Sequence, residues 1–247
     1  MNPSSGVLIT RPLHQAQCLA QRLGSLGIKH WIFPALDIFP REPDPASLEF
    51  AHHAHGWIFI SANAVQQGWP WVKPGTEPAW LAAIGQTTAG RLREVSSRQV
   101  LHPQHGADSE ALLALPEFQQ LDGIKIAIFR GRGGREWLKQ TLIQRGATVV
   151  YVECYERQRP VAPTPELATA LAQNATIQVQ STEALHNLWE LCSPVQRQTL
   201  RQCTFIVSHP RIASAVSALG LPTPVVLPNG DDALIEWWTS HQGPENP

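Results

Sequence analysis

No apolar run in this 247-residue chain approaches the roughly 20 residues that span a bilayer, which excludes a transmembrane helix read from sequence. Residues 1–5 lack the basic and apolar regions of a signal peptide, so the expected compartment is the cytoplasm. Charge is scarce: 16% of residues are charged and the formal net charge is -1, which argues against a surface built to hold nucleic acid. Lysine is scarcest, with only Lys29, Lys73, Lys125 and Lys139, and arginine supplies the remaining basic residues. Cys18, Cys154, Cys192 and Cys203 show no C-x-x-C spacing and read as free thiols. Histidines gather at His52-His53-x-His55 and at His102 with His105. Neither group has a cysteine or acidic partner at a typical ligand spacing, so no metal is expected. There is no G-x-S-x-G elbow, no H-E-x-x-H, and no carboxylate pair at a strand end.

What is present is a duplicated pattern in a chain that is 43% hydrophobic. Val7-Leu8-Ile9-Thr10-Arg11 and Ile126-Ala127-Ile128-Phe129-Arg130 both read as short buried strands. Each precedes an amphipathic stretch that ends at a glycine, with Leu19, Leu23 and Gly27 in one and Leu138, Leu142 and Gly146 in the other. These pairs share an offset of 119, and a further apolar strand follows each glycine. Trp57-Ile58-Phe59-Ile60-Ser61 and Ile177-Gln178-Val179-Gln180-Ser181 repeat at an offset of 120, each leading into a helix. A third, looser pair runs from residues 80–85 and 205–208 into helices around 88–92 and 211–219. Short apolar strands alternating with helices imply parallel sheets covered on both faces. The fold class is therefore α/β, with two similar domains. Proline-rich stretches at residues 34–45 and 160–165 read as extended connectors.

Ligands of open α/β sheets bind outside the carboxyl ends of the strands. Here those ends carry Arg11, Ser61, Gly85 with Thr88, Arg130 with Gly131, and Ser181 with Thr182. Each precedes a helix start, whose free N–H groups and dipole favour anions. Residues 130–135 are the sharpest case, with three glycines and three arginines. The segment has neither the lysine of a P-loop nor a G-x-G-x-x-G fingerprint. Ser61 and Ser181 read first as helix N-caps, a role that leaves ligand contact open. Tyr155, one of two tyrosines, falls in the second connector; it could pack a hinge or donate a proton.

The motifs Leu8-Ile9-Thr10-Arg11-Pro12, Phe59-Ile60-Ser61-Ala62-Asn63-Ala64-Val65, Ala83-Ile84-Gly85-Gln86-Thr87-Thr88-Ala89 and Phe129-Arg130-Gly131-x-Gly133-Gly134-Arg135 come in a telling order. Together with Cys154-Tyr155-Glu156-Arg157, the chain resembles the uroporphyrinogen-III synthase family. The resemblance is firm over about residues 7–160. It is looser afterwards, through Ser181-Thr182-Glu183-Ala184 and Val207-Ser208-His209-Pro210-Arg211; Gln180 stands where the family often has threonine.

The resemblance implies a discontinuous first domain of residues 1–36 and 158–241 and a second of 52–151. Residues 37–51 and 152–157 would pair as a two-stranded connector with a cleft between the domains, and 242–247 would be a flexible tail. It implies cyclisation of hydroxymethylbilane, a linear tetrapyrrole with eight carboxylates, with inversion of ring D, loss of water and no cofactor. Loss of the terminal hydroxyl leaves an azafulvene cation. The substituted carbon of ring D attacks it to give a spiro intermediate, which fragments and recloses; without enzyme the chain closes to the type I isomer. Tyr155 is the implied proton donor. Arg11, Ser61, Gly85, Thr88, Arg130, Gly131, Ser181 and Thr182 are the implied substrate-binding residues. A monomer in transient contact with hydroxymethylbilane synthase is the expected state. The competing readings are a non-catalytic two-domain anion-binding protein and a sugar-phosphate or nucleotide enzyme using residues 130–134.

Overall fold

A computed structural model describes residues 5–73, 75–228 and 230–241, so the tail expected at 242–247 lies outside the described residues. Along the chain the strands are β1 (Val7–Ile9), β2 (His30–Ile32), β3 (Asp37–Pro40), β4 (Gly56–Phe59), β5 (Trp80–Ala83), β6 (Val100–Leu101), β7 (Lys125–Gly131), β8 (Thr148–Gln158), β9 (Thr176–Val179), β10 (Phe205–Val207) and β11 (Val225–Val226). The helices are α1 (Leu13–Ser25), α2 (Pro45–His52), α3 (Ala62–Gly68), α4 (Gln86–Val95), α5 (Ser109–Leu113), α6 (Trp137–Gln144), α7 (Pro165–Ala172), α8 (Thr182–Leu191), α9 (Pro194–Leu200), α10 (Pro210–Ala218) and α11 (Asp231–His241).

The chain divides into two compact units. One comprises Met1–Asp37 with Gln158–Pro247, the other Ile38–Arg157. The first holds a sheet of order β11-β10-β9-β1-β2, the second one of order β3-β8-β7-β4-β5-β6. Pairing is parallel from β11 to β2 and from β8 to β6. Strands 119–120 residues apart in sequence occupy equivalent places: β1 with β7, β2 with β8 and β4 with β9. Apart from β3, which has no counterpart in the five-stranded sheet, each unit thus takes two strands from one half of the duplicated pattern and three from the other.

Both faces of each sheet are buried, which is why the strands read as continuous apolar runs. In β1, Leu8 faces a cluster with Phe33, Ile177 and Phe205, while Val7 and Ile9 face Leu19, Leu23 and Trp238. In β4, Trp57 and Phe59 pack with Phe129 on one face, and Ile58 meets Phe118 and Leu142 on the other. The Phe59 and Phe129 rings stack at 4.4 Å.

Gly27 and Gly146 both take positive φ, 70° and 97°, and close α1 and α6 in the same way. Ile28 N–H donates to the Leu23 carbonyl as Ala147 N–H does to that of Leu142. That double-bonded glycine stop is the Schellman motif, present at both ends of the offset.

The first proline-rich stretch is extended in β3, but both stretches depart from the extended expectation at their last proline. Pro45 and Pro165 each open a helix, α2 and α7. Proline at the first helical turn sacrifices an N–H that lacks an intrahelical partner anyway. Asp44 caps α2 by accepting from Ser47 N at 2.9 Å. Tyr155 also departs from its expected connector setting. β8 runs unbroken to Gln158, and Tyr155 is a core residue with 2% of its surface exposed. Cys18 is exposed and the other three thiols are buried; none is in a disulfide. Among the described residues no helix is long and apolar enough to cross a membrane, and no three His, Cys, Asp or Glu side chains gather as metal ligands.

Candidate active site at the strand ends

In a sheet whose connections run outward in both directions, the crevice forms where the winding reverses. The reversal lies between β4 and β7 in the second unit and between β1 and β9 in the first. At the ends of these strands stand Ser61, just past β4, with Arg130 and Gly131, the last residues of β7, in one unit, and Arg11, Ser181 and Thr182 in the other. Gly85 and Thr88 follow β5, one strand further out.

In the second unit Ser61, Gly131 and Tyr155 come together. Ser61 caps α3, its Oγ accepting from Ala64 N at 3.0 Å, and that same oxygen lies 3.1 Å from the Tyr155 hydroxyl. The Tyr155 ring rests against Gly131, where a Cβ would stand 2.6 Å from ring carbon Cε2. Burial holds the phenol above its ordinary value of 10, with the Ser61 hydrogen bond pulling the other way. The group is therefore protonated at neutral pH and able to donate.

Arg130 is 3% exposed and its guanidinium faces inward. It donates to the carbonyls of Gly131 at 3.2 Å, of Arg135 at 3.4 Å and of Gly133, and pairs with Glu136 at 3.3 Å. Its Cζ also stands 4.2 Å over the Tyr151 ring. The segment 131–136 is thus wound around the arginine that precedes it, with the side chains of Arg132 and Arg135 exposed. Gly85 precedes α4 without a side-chain cap, and a Cβ there would sit 2.7 Å from Ala107 Cβ. Thr88 is buried in the first turn of α4.

In the first unit Arg11 is engaged by residues that sequence reasoning missed. Its Nη1 pairs with Asp231 at 2.5 Å and its Nε donates to Gln178 Oε1 at 3.2 Å. Nη2 is buried with no partner among the described residues. Asp231 opens α11, where a carboxylate also suits the helix dipole. The Asp231-Asp232 pair ahead of an apolar stretch is a readable helix-start signal. Gln178 stands between Ile177 and Val179 in β9, and a long polar side chain between two apolar neighbours marks a buried hydrogen-bonder. Ser181 repeats the Ser61 cap, accepting from Ala184 N at 3.0 Å, and the Thr182 hydroxyl is buried without a partner among the described residues. A shallow pocket beside this point is lined by Gln178, Gln180, Ser208 and Leu227.

Fold and site define a class: a two-unit parallel α/β protein whose winding-reversal points are lined with helix starts, hydroxyls and glycine. A family model described as "Uroporphyrinogen-III synthase HemD" matches residues 17–232. The uroporphyrinogen-III synthase of Escherichia coli (strain K12) is 35% identical over 244 residues, covering 93% of this chain and 98% of the relative; that of Salmonella typhimurium has the same identity and coverage. The chain belongs to the uroporphyrinogen-III synthase family. Among solved structures it shares its fold with the Helicobacter pylori uroporphyrinogen-III synthetase at a TM-score of 0.63 and 16% identity, over 95% of this chain and 98% of that one. A mutant Thermus thermophilus enzyme gives 0.61 and 16%, over 96% and 98%.

Proposed function

We infer that this chain does what its family does: it cyclises hydroxymethylbilane to uroporphyrinogen III, inverting ring D and losing water, as a cyclising lyase of tetrapyrrole biosynthesis. The observation that carries this is 35% identity sustained over 93% of the chain. The anion-binding and sugar-phosphate readings have no comparable support.

For the chemistry, Tyr155 is the proton source and Ser61 the relay. Tyr155 is enclosed whereas Ser61 is half-buried, and their oxygens are 3.1 Å apart. Ser61 passes its proton to the departing hydroxyl, which leaves as water, and takes the Tyr155 proton in turn. The phenolate recovers a proton when the newly closed ring loses one and regains aromaticity. General-acid help of this kind contributes roughly 10²–10⁴-fold. The larger part of the task is holding a flexible tetrapyrrole in the reactive fold, which is positioning.

The strand ends serve that task by receiving substrate carboxylates. Ser61, Gly85, Thr88, Ser181 and Thr182 offer backbone donors and hydroxyls at helix starts, and Gly131 offers backbone at the end of β7. Arg11 and Arg130 shape their strand ends, since both guanidinium groups are engaged inside their own units. We place the reaction in the cytoplasm, on a monomer. Spontaneous closure of the linear substrate to the type I isomer favours transient contact with hydroxymethylbilane synthase.

The test is to supply freshly made hydroxymethylbilane and resolve the oxidised porphyrins into isomers. Type III in large excess is expected. Type I alone, formed at the uncatalysed rate with a folded protein, would remove the synthase reading.

A further inference from the structure

Side chains on β8 alternate until residue 154. Val149 and Tyr151 pack on the face that holds Ile126 and Leu142; Val152 and Cys154 pack on the other, with Trp57 and Phe59. Period-two alternation would return Tyr155 to the first face. Instead it joins Cys154 in the Trp57 cluster. The ladder shows why: Arg130 stands opposite Glu153 but Gly131 stands opposite Tyr155, so Cys154 has no partner position on β7. An extra residue of this kind is a β-bulge, uncommon between parallel strands, and it reverses the phase of every side chain beyond it.

Three sets of contacts hold the bulge. Arg132 N–H donates to the Tyr155 carbonyl at 2.8 Å, and Gly133 N–H donates to Glu153 Oε1 at 3.1 Å. Arg130 gathers the carbonyls of Gly131, Gly133 and Arg135 around its guanidinium. Gly131 itself leaves room for the ring, because a Cβ would come within 2.7 Å of Cζ, the carbon that bears the phenol oxygen.

We propose that this bulge is the device that turns Tyr155 toward Ser61, with Gly131 and Arg130 as its positioning residues. The inference rests on the reading of Tyr155 as the proton source. Gly131→Ala keeps an allowed backbone and pushes directly on the ring, so its effect reads the placement of the phenol.

Two readouts test it. In kinetics, Gly131→Ala lowers kcat about 10–100-fold with KM little changed, as misplacement by an ångström does. The double variant Gly131→Ala/Tyr155→Phe is then no slower than Tyr155→Phe alone. In spectroscopy, Tyr151→Phe leaves Tyr155 as the sole tyrosine, so phenolate absorbance titrates that one group. Adding Gly131→Ala moves its midpoint down toward about 10. Losses that multiply in the double variant, with an unmoved titration, would overturn the proposal. Should Gly131→Ala not fold, Arg130→Lys, which keeps the charge and loses the fork of donors, is read by the same two criteria. If Tyr155→Phe itself keeps full turnover, the proton-source reading falls, and the titration alone decides whether the bulge places the ring.

Discussion

Arg11 and Arg130 lie 119 residues apart, each closing the first strand of its half of the duplicated pattern, and the two units use them differently. Arg130 winds its own following segment around itself, through hydrogen bonds that reach no more than six residues along the chain, and otherwise stacks on Tyr151. Arg11 reaches across the sequence to Gln178 and to Asp231, joining β1 to β9 and to α11. Ser61 and Ser181 diverge in the same manner. Both cap helices at 3.0 Å, but only Ser61 has a phenol beside it, since the first unit contains no tyrosine. The same strand-end pattern of serine caps and helix starts recurs in both units, and the proton source we propose, Tyr155, belongs to the second.

That contrast can be broken at the arginines, where the largest stability effects are expected. Arg130→Met strands several carbonyls and should cost about 3 kcal/mol or more, read as a fall in denaturant midpoint together with loss of turnover. Asp231→Ala leaves the buried Arg11 without its counter-charge and should cost about 2–3 kcal/mol. Faster hydrogen exchange along α11, with the second unit's exchange unchanged, is the accompanying signature.

The serines sharpen the comparison. Ser61→Ala and Ser181→Ala should each cost about 1 kcal/mol through loss of the cap. Ser61→Ala alone should also lower kcat at least about tenfold. Equal kcat values for the two variants would remove Ser61 as relay.

The smallest effect separates the units by pH. Burial raises the Tyr151 phenol to about 12 and raises that of Tyr155. An unfolded chain releases these protons near pH 10, before the folded one does. Their contribution to stability is therefore complete below about pH 10 and declines as pH climbs through the folded values. Tyr151→Phe should leave the denaturant midpoint at pH 8 nearly unchanged and flatten its decline above pH 10.

Much of this architecture was legible in the chain. The offsets of 119 and 120 marked the strands, the glycine stops and the serine caps, because each depends on local chemistry repeated at a fixed spacing. The same local logic misread Pro45 and Pro165, since proline breaks an extended pairing and also begins helices. The Arg11–Asp231 pair spans 220 residues, and no pattern of spacing links its members. Tyr155 was picked out by its expected connector position and by the family match, yet its setting was hidden. A bulge at Cys154 inserts no unusual residue; it is a matter of register against β7, which β8's own sequence does not contain.

The most direct test of the account is the single-turnover rate of Tyr155→Phe on hydroxymethylbilane, measured beside wild type with the porphyrin isomers resolved. The account predicts a fall of about 100-fold in the rate of type III formation, within the range of general-acid catalysis, with the folded state retained. A Tyr155→Phe enzyme that makes type III at the wild-type rate would contradict it.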